Sequence, residues 1–119
     1  MNKHIQIVED DGDIRFIVEY ILEDANYVVE SFENATTFIN RERVENVDLI
    51  ILDVMLPDGN GIDLCRNLKI NENTVNIPVI IMSAHAGSQS VLEEACADDF
   101  INKPFDLDNF LTRVKKILN

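Results

Sequence analysis

An α/β fold with one parallel sheet covered by helices on both faces is what this sequence predicts, on three observations. Five short apolar runs alternate along the chain with five stretches whose apolar residues recur at helical spacing. Two of those runs, residues 49–52 and 79–82, are continuous rather than alternating, as strands buried on both faces are. Each run also stops abruptly on polar or charged residues, with no linker, repeat or low-complexity tract between the units. Right-handed crossovers and a chain this short favour a single-domain, flavodoxin-like (βα)5 three-layer sandwich of strand order 2-1-3-4-5.

The elements follow in order. Ile5, Ile7 and Val8 signal a first strand, which stops at Glu9, Asp10, Asp11 and Gly12 because consecutive acids cannot continue a buried strand. From Asp13, Ile14, Ile17, Val18, Ile21 and Leu22 form a helical stripe whose acidic start suits the helix dipole. Residues 27–32 form a second strand, and Asn34 caps a short helix carrying Phe38 and Ile39 on its inner side. Leu49, Ile50, Ile51 and Leu52 make the central strand, terminated by Asp53, and Pro57, Gly59 and Gly61 shape a loop after it. Gly61 opens a third helix on Ile62, Leu64, Cys65 and Leu68, which ends in the polar residues 71–73. Pro78 introduces the fourth strand, residues 79–82, ended by Ser83. Val91, Leu92, Ala95 and Cys96 fit a short fourth helix after a small, polar segment. Phe100 and Ile101 form a brief fifth strand that ends at Lys103 and Pro104. Leu107, Phe110, Leu111, Val114, Ile117 and Leu118 then mark a C-terminal helix with Arg113, Lys115 and Lys116 toward its cation-preferring end.

At 119 residues the chain fits one domain, residues 1–119, large enough to bury a core without disulfide or metal staples. Asp and Glu number 22 against 10 Lys and Arg, a net charge of −12 that repels nucleic-acid phosphates and anionic lipid. Neither direct nucleic-acid binding nor membrane binding is expected. Cys65 and Cys96 have no neighbouring partner of zinc-site or redox spacing, so both are expected to be reduced and structural. No apolar run nears the ~18 residues of a membrane span, and the chain starts on Met1, Asn2, Lys3 and His4 rather than a secretory leader. A cytoplasmic location is expected.

Open α/β sheets bind ligands outside the carboxyl ends of their strands, and this strand order sets the crevice beside strands 1 and 3. Glu9, Asp10 and Asp53 end those strands, while Ser83 and Lys103 arrive from strands 4 and 5. Three carboxylates on one rim repel one another unless a cation enters. With no His or Cys in ligand-like spacing, the expected ion is hard and oxygen-seeking: Mg2+, or another divalent cation such as Mn2+. A carboxylate beside such an ion and an ammonium can attack a phosphoryl group to form an acyl phosphate. Asp53 would be the nucleophile and Lys103 the ammonium.

VEDD at residues 8–11, LDVMLPDGNG from Leu52, MSA from Met82 and DDFINKPF ending at Phe105 together resemble the receiver domains of two-component response regulators. The resemblance covers the whole chain, and the order and spacing of its motifs are more specific than any one of them. It implies that Asp53 accepts phosphate from a histidine kinase or histidine phosphotransfer protein. Asp10, Asp53 and the backbone carbonyl of Met55 would ligate the ion, with Glu9 acting mainly through water. Ser83 would hydrogen-bond the phosphoryl group and Lys103 would pair with it. Phe100 matches the aromatic switch position, and Pro104 the residue whose bond to the lysine is cis in the family. Such a domain is a signalling switch, not an enzyme beyond promoting its own phosphorylation and dephosphorylation. It controls a downstream protein or effector domain through helix 4, strand 5 and helix 5. Two departures stand out: Cys96 replaces the usual glycine before the acidic pair, and Phe100 lacks the hydroxyl of the commoner tyrosine.

Taken singly, Glu9 to Asp11 read as a solvated helix start, Lys103 as a surface lysine before a turn proline, Phe100 as a core aromatic and Ser83 as a cap. Joint occurrence at four strand ends argues against that. A phosphohydrolase with an aspartyl-phosphate intermediate would need a second acid just after Asp53, where Val54 and Met55 stand. A nucleotide binder would want a glycine-rich loop after strand 1 rather than acids. The DGNG of residues 58–61 lacks the later ligands of a calcium loop and reads as a turn. Met55 and His85 follow Asp53 and Ser83 closely enough to tune phosphoryl lifetime. No Lys or Arg occurs between Lys69 and Lys103, so Glu93 and Glu94 of helix 4 stand unopposed. The activated form is therefore expected to be a monomer that binds another protein, against the alternative of a phosphorylation-induced dimer. Both a stand-alone receiver and a part of a longer regulator fit the sequence.

Overall fold

The computed structural model describes residues 2–42, 46–84 and 97–119. The expected fourth helix over Val91, Leu92, Ala95 and Cys96, with Glu93 and Glu94, lies outside the described residues, as does His85. The described elements are β1 (His4–Val8), α1 (Gly12–Asp24), β2 (Val28–Phe32), α2 (Ala35–Ile39), β3 (Leu49–Asp53), β4 (Met55–Leu56), β5 (Gly59–Asn60), α3 (Gly61–Ile70), β6 (Val79–Ser83), β7 (Asp99–Asn102) and α4 (Leu107–Leu118). The five long strands are parallel in the order β2-β1-β3-β6-β7. With the small β4–β5 hairpin left out, that is the expected order 2-1-3-4-5, an α/β flavodoxin-like sheet.

Alternation along the strands divides the apolar residues between two cores, one on each face of the sheet. Val8, Ile50, Leu52 and Ile81 point to the face covered by Phe38 of α2 and by Leu64, Cys65 and Leu68 of α3. Ile5, Ile7, Ile51, Ile80 and Met82 point to the other, against Val18 and Leu22 of α1 and Phe110 and Val114 of α4. Every residue of β3 and β6 is buried, which is why those runs are continuous in sequence.

Local chemistry moves several boundaries from where periodicity alone sets them. The Asp11 side chain accepts from the N–H groups of Asp13 and Ile14, so α1 starts at Gly12, one residue before its apolar stripe suggests. At the other end Asn26 takes a left-handed φ of 72°, and the Tyr27 N–H bonds back to the Leu22 carbonyl at 3.1 Å. Tyr27 thus belongs to the helix exit, and β2 starts one residue later than expected. β3 and β6 each extend one residue further, taking in Asp53 and Ser83. The segment read as a plain loop contains an antiparallel pairing of Met55 with Asn60 and Leu56 with Gly59.

The return of that hairpin depends on Gly61. Its N–H donates to the Val54 carbonyl at 2.8 Å, and a Cβ there would lie 2.1 Å from the carbonyl oxygen of Asp53. Gly61→Ala is therefore expected to destabilise the fold by about 1–3 kcal/mol, the usual range for forcing atoms into packed space. Gly12→Ala, whose new methyl would meet only Arg15 at 3.7 Å, should change stability by less than about 1 kcal/mol. Urea denaturation of both variants checks this, and equal effects would refute the account of Gly61.

Candidate functional site

Parallel pairing of β1, β3, β6 and β7 brings their carboxyl ends to one rim. Glu9 follows β1, with its N–H on the Phe32 carbonyl at 3.0 Å and its side chain fully buried. One carboxylate oxygen, Oε2, accepts from the Asp11 N–H at 3.1 Å, and the other, Oε1, accepts from Lys103 Nζ at 2.5 Å. Lys103 Nζ also donates to Asp53 Oδ2 at 3.1 Å. One ammonium therefore bridges the ends of three strands. Asp10, next along the chain, is exposed, and carboxylate oxygens of Glu9, Asp10 and Asp53 all lie within 4.8 Å of one another.

Ser83 is buried at the end of β6, and its carbonyl accepts the Lys103 N–H at 2.8 Å, which holds the lysine backbone against it. The Lys103–Pro104 peptide is cis. Met55, two residues beyond Asp53, exposes its side chain on β4. Phe100 is 5% exposed and packs into the core beneath the rim. The sheet thus brings Glu9, Asp10, Asp53 and Lys103 together, with Ser83 alongside and Phe100 one layer below.

Three supports have no signal in the sequence. Arg15 reaches back from α1 to donate to the Glu9 carbonyl at 2.8 Å. Asp98 Oδ2 accepts from the Val79 N–H at 2.8 Å and from Lys69 Nζ at 3.0 Å, joining the start of β6 to α3. Arg113 of α4 donates to Asp99 Oδ1 at 2.7 Å and to the Phe100 carbonyl at 3.2 Å. The Arg15 bond is local but ends on a backbone carbonyl, and the other two supports join separate elements, so no residue pattern announces them. Beside the rim, Ile14, Ile17, Pro104, Phe105 and Leu107 line an apolar groove that reaches Lys103, and Phe16 and Tyr20 of α1 are exposed close to it in sequence.

The electrostatics of the bridge are lopsided. Burial pushes the Glu9 carboxyl up to about 7, with the Asp53 charge adding to the rise, although Lys103 and the Asp11 N–H oppose it. Lys103 loses hydration too, but its bond to Glu9 and the two carboxylate charges outweigh that loss and raise its pKa. The ammonium has two anions to answer its burial, whereas Glu9 has one cation to answer both burial and a neighbouring acid. Negative charge is thus in excess, and the donors are all oxygens. That set fits a hard divalent cation. It also fits an acceptor carboxylate, since Asp53 is 7% exposed and has an ammonium at hand to neutralise an incoming phosphoryl oxygen.

Known proteins share this fold and much of this sequence. The family model described as "Response regulator receiver domain" matches residues 5–115. The transcriptional regulatory protein CseB of Streptomyces coelicolor is 38% identical over 117 residues, spanning 97% of this chain and 49% of CseB. The chain spans about half the length of the curated relatives it matches. Among solved structures, the non-phosphorylated HemR receiver domain of Leptospira biflexa superposes with a TM-score of 0.89 at 35% identity, covering 99% of this chain and 95% of that one. The response regulator TrrA of Thermotoga maritima, solved in complex with Mg2+-BeF, has a TM-score of 0.85 at 27% identity and covers 98% of this chain and 99% of that one.

The position of Glu9 predicts a pH dependence for the metal-free protein. Its ordinary value is 4.5 and its folded value about 7, so between the two the folded state holds a proton that the unfolded state has lost. This contribution to stability is fully present below 4.5 and lost as pH rises through about 7. The gap in melting temperature between Glu9→Gln and the parent should therefore shift in favour of the variant from pH 5 to pH 8 in the presence of a chelator. A constant gap would contradict the assignment.

Proposed function

The chain belongs to the response regulator receiver domain family, and on that premise we propose that it is the phosphorylation-dependent switch of a two-component system, with Asp53 as the acceptor. Receiver domains are signalling domains rather than classical enzymes, and the only chemistry proposed here is the gain and loss of the protein's own phosphoryl group. One observation carries the reading: a partly buried ammonium bridges Glu9 and Asp53 at a rim where three carboxylates crowd within 4.8 Å.

In the proposed reaction an Asp53 carboxylate oxygen attacks the phosphorus of a phosphohistidine. The O–P bond forms as the P–N bond breaks, and the imidazole leaves with the electron pair. Lys103 then pairs with a phosphoryl oxygen and Ser83 donates its hydroxyl to another. Asp10, Asp53 and the Met55 carbonyl would hold Mg2+ or Mn2+, with Glu9 acting through water. The bound ion would supply positive charge opposite the phosphoryl oxygens. The apolar groove from Ile14 to Leu107 borders Lys103 at the rim and suits the docking of a histidine kinase or phosphotransfer protein, whose histidine must reach Asp53.

Output would run through Ser83 and Phe100. Drawing Ser83 toward the phosphoryl group changes the packing beneath the rim, and Phe100, with no hydroxyl to bond, responds by packing alone; the two arrangements must lie within a few kcal/mol of each other. The name of CseB calls that relative a transcriptional regulatory protein, and control of a downstream effector is the corresponding proposal here. Residues 1–119 would form the receiver unit, acting in the cytoplasm. Among the described residues no helix is long and apolar enough to cross a membrane. A net charge of −12 argues for a protein partner over nucleic acid or an anionic membrane.

Incubation with a small phosphodonor and Mg2+ should add one phosphoryl group to the intact mass, and Asp53→Ala should add none; an adduct persisting in the variant would overturn the assignment of Asp53. Arg113 of α4 is already paired with Asp99 of its own chain, and no Lys or Arg occurs between Lys69 and Lys103 to meet acids across a two-fold. Sedimentation with a beryllofluoride mimic should accordingly show a monomer, and a tight dimer abolished by Arg113→Ala would refute that.

A further inference from the structure

The sequence suggests only a turn at Asp58, but the structure gives this residue a long-range task. The β4–β5 hairpin leaves the sheet directly after Asp53 and returns at Gly61, and two-residue strands have little stability of their own. Its position therefore depends on its anchors. The root is fixed by Gly61, whose N–H holds the Val54 carbonyl at 2.8 Å and whose missing side chain lets it sit on the Asp53 carbonyl. The tip is fixed by Asp58: Oδ1 accepts from the Ala35 N–H at 2.7 Å, and Oδ2 accepts from the Thr36 N–H at 2.9 Å and from the Thr36 hydroxyl. Next to it Gly59 lies so near α2 that a Cβ there would be 3.0 Å from that of Ala35. The carboxylate is matched to the positive end of the short helix, and the hydroxyl and N–H of Thr36 and the N–H of Ala35 hold its pKa below the ordinary carboxylate value.

Met55 stands between these anchors, paired with Asn60 across the hairpin. We propose that Asp58 is a positioning residue for the cation site: by clamping the hairpin tip to α2 it fixes the Met55 carbonyl, and so ties the placement of α2 to the affinity for the ion. This rests on the reading of Met55 as a ligand given above. Released at its tip, the hairpin pivots about Gly61 and carries the carbonyl with it. Mg2+ demands near-ideal octahedral geometry, so a small displacement of one oxygen costs affinity. Linkage makes the coupling reciprocal: ion binding steadies the contact with α2, and a partner that shifts α2 weakens the ion.

Asn34 supplies the control. Its side chain caps the same helix, accepting from the Thr37 N–H at 2.8 Å, and makes no bond to the hairpin. Mg2+ titration by calorimetry on the parent, Asp58→Ala, Asn34→Ala and Asp10→Asn separates the possibilities. Asp58→Ala should weaken Mg2+ about tenfold, the low end for residues that support a metal ligand. Asn34→Ala should lower the melting temperature comparably and leave the affinity unchanged. Asp58→Asn, which keeps one acceptor oxygen, should recover part of the loss. If Asp58→Ala does not fold, Asp58→Ser, too short to reach both N–H groups, replaces it with the same expectation. Parental affinity in the Asp58 and Asn34 variants, with Asp10→Asn weakened, overturns the coupling and leaves the cation site standing. Parental affinity in Asp10→Asn overturns the site itself and the proposal with it.

Discussion

Lys103 meets Glu9 across 94 residues of sequence, and the arrangement of the rim depends on that contact. A carboxylate with no exposed surface is tolerated only when something answers its charge, and breaking a buried pair by deleting one partner commonly costs about 3–5 kcal/mol. The ammonium that answers Glu9 also answers Asp53, so β1, β3 and β7 must end at the same level on the same side of the sheet. A parallel sheet in this order meets that demand; an antiparallel neighbour would send its terminal charge to the opposite rim. The chemistry of the rim and the topology of the sheet are in this sense one constraint.

The same contact leaves a deficit. Lys103 faces both Glu9 and Asp53 with Asp10 close by, and burial, with a smaller contribution from the Asp53 charge, raises the Glu9 carboxyl. A protein selected for stability alone would fill this position with apolar residues, as β3 and β6 do up to their last residues, Asp53 and Ser83. Acids in such a setting are expected at functional sites rather than in a core built for stability, which is consistent with the proposed cation and phosphoryl chemistry.

Much of this was legible in the sequence, and physical reasons separate what was from what was not. The strands of the sheet centre are continuous apolar runs because both faces are covered, so their ends, and the residues on them, could be placed without coordinates. Glu9, Asp10, Asp53 and Lys103 are therefore found where the runs stop. The hairpin after Asp53 was not legible, since a two-residue strand has no periodicity to detect. Nor was the burial of Gln6, a polar residue inside β1 whose side chain accepts from Arg41 Nε at 2.8 Å while that guanidinium lies over the Phe38 ring at 3.8 Å. Polar residues become core through partners tens of residues away, and such partnerships are properties of the fold.

The two acids that precede Phe100 illustrate the point and bear on how a change at the rim could leave it. In sequence Asp98 and Asp99 look like a solvated pair. In the structure Asp98 ties the start of β6 to Lys69 of α3, on one face of the sheet, and Asp99 ties β7 to Arg113 of α4, on the other. Arg113 also holds the Phe100 carbonyl. The strand that carries Phe100 and leads into Lys103 is thus tethered to a helix on each side. In the proposed switch, a pull on Lys103 by an incoming phosphoryl group would act on a strand that cannot yield locally without loading those tethers. Because packed interfaces change between discrete arrangements rather than stretching, the load would go to the position of α4 and to the packing of Phe100. That gives the proposed switch a mechanical route from the Lys103 ammonium to the helices that flank the sheet.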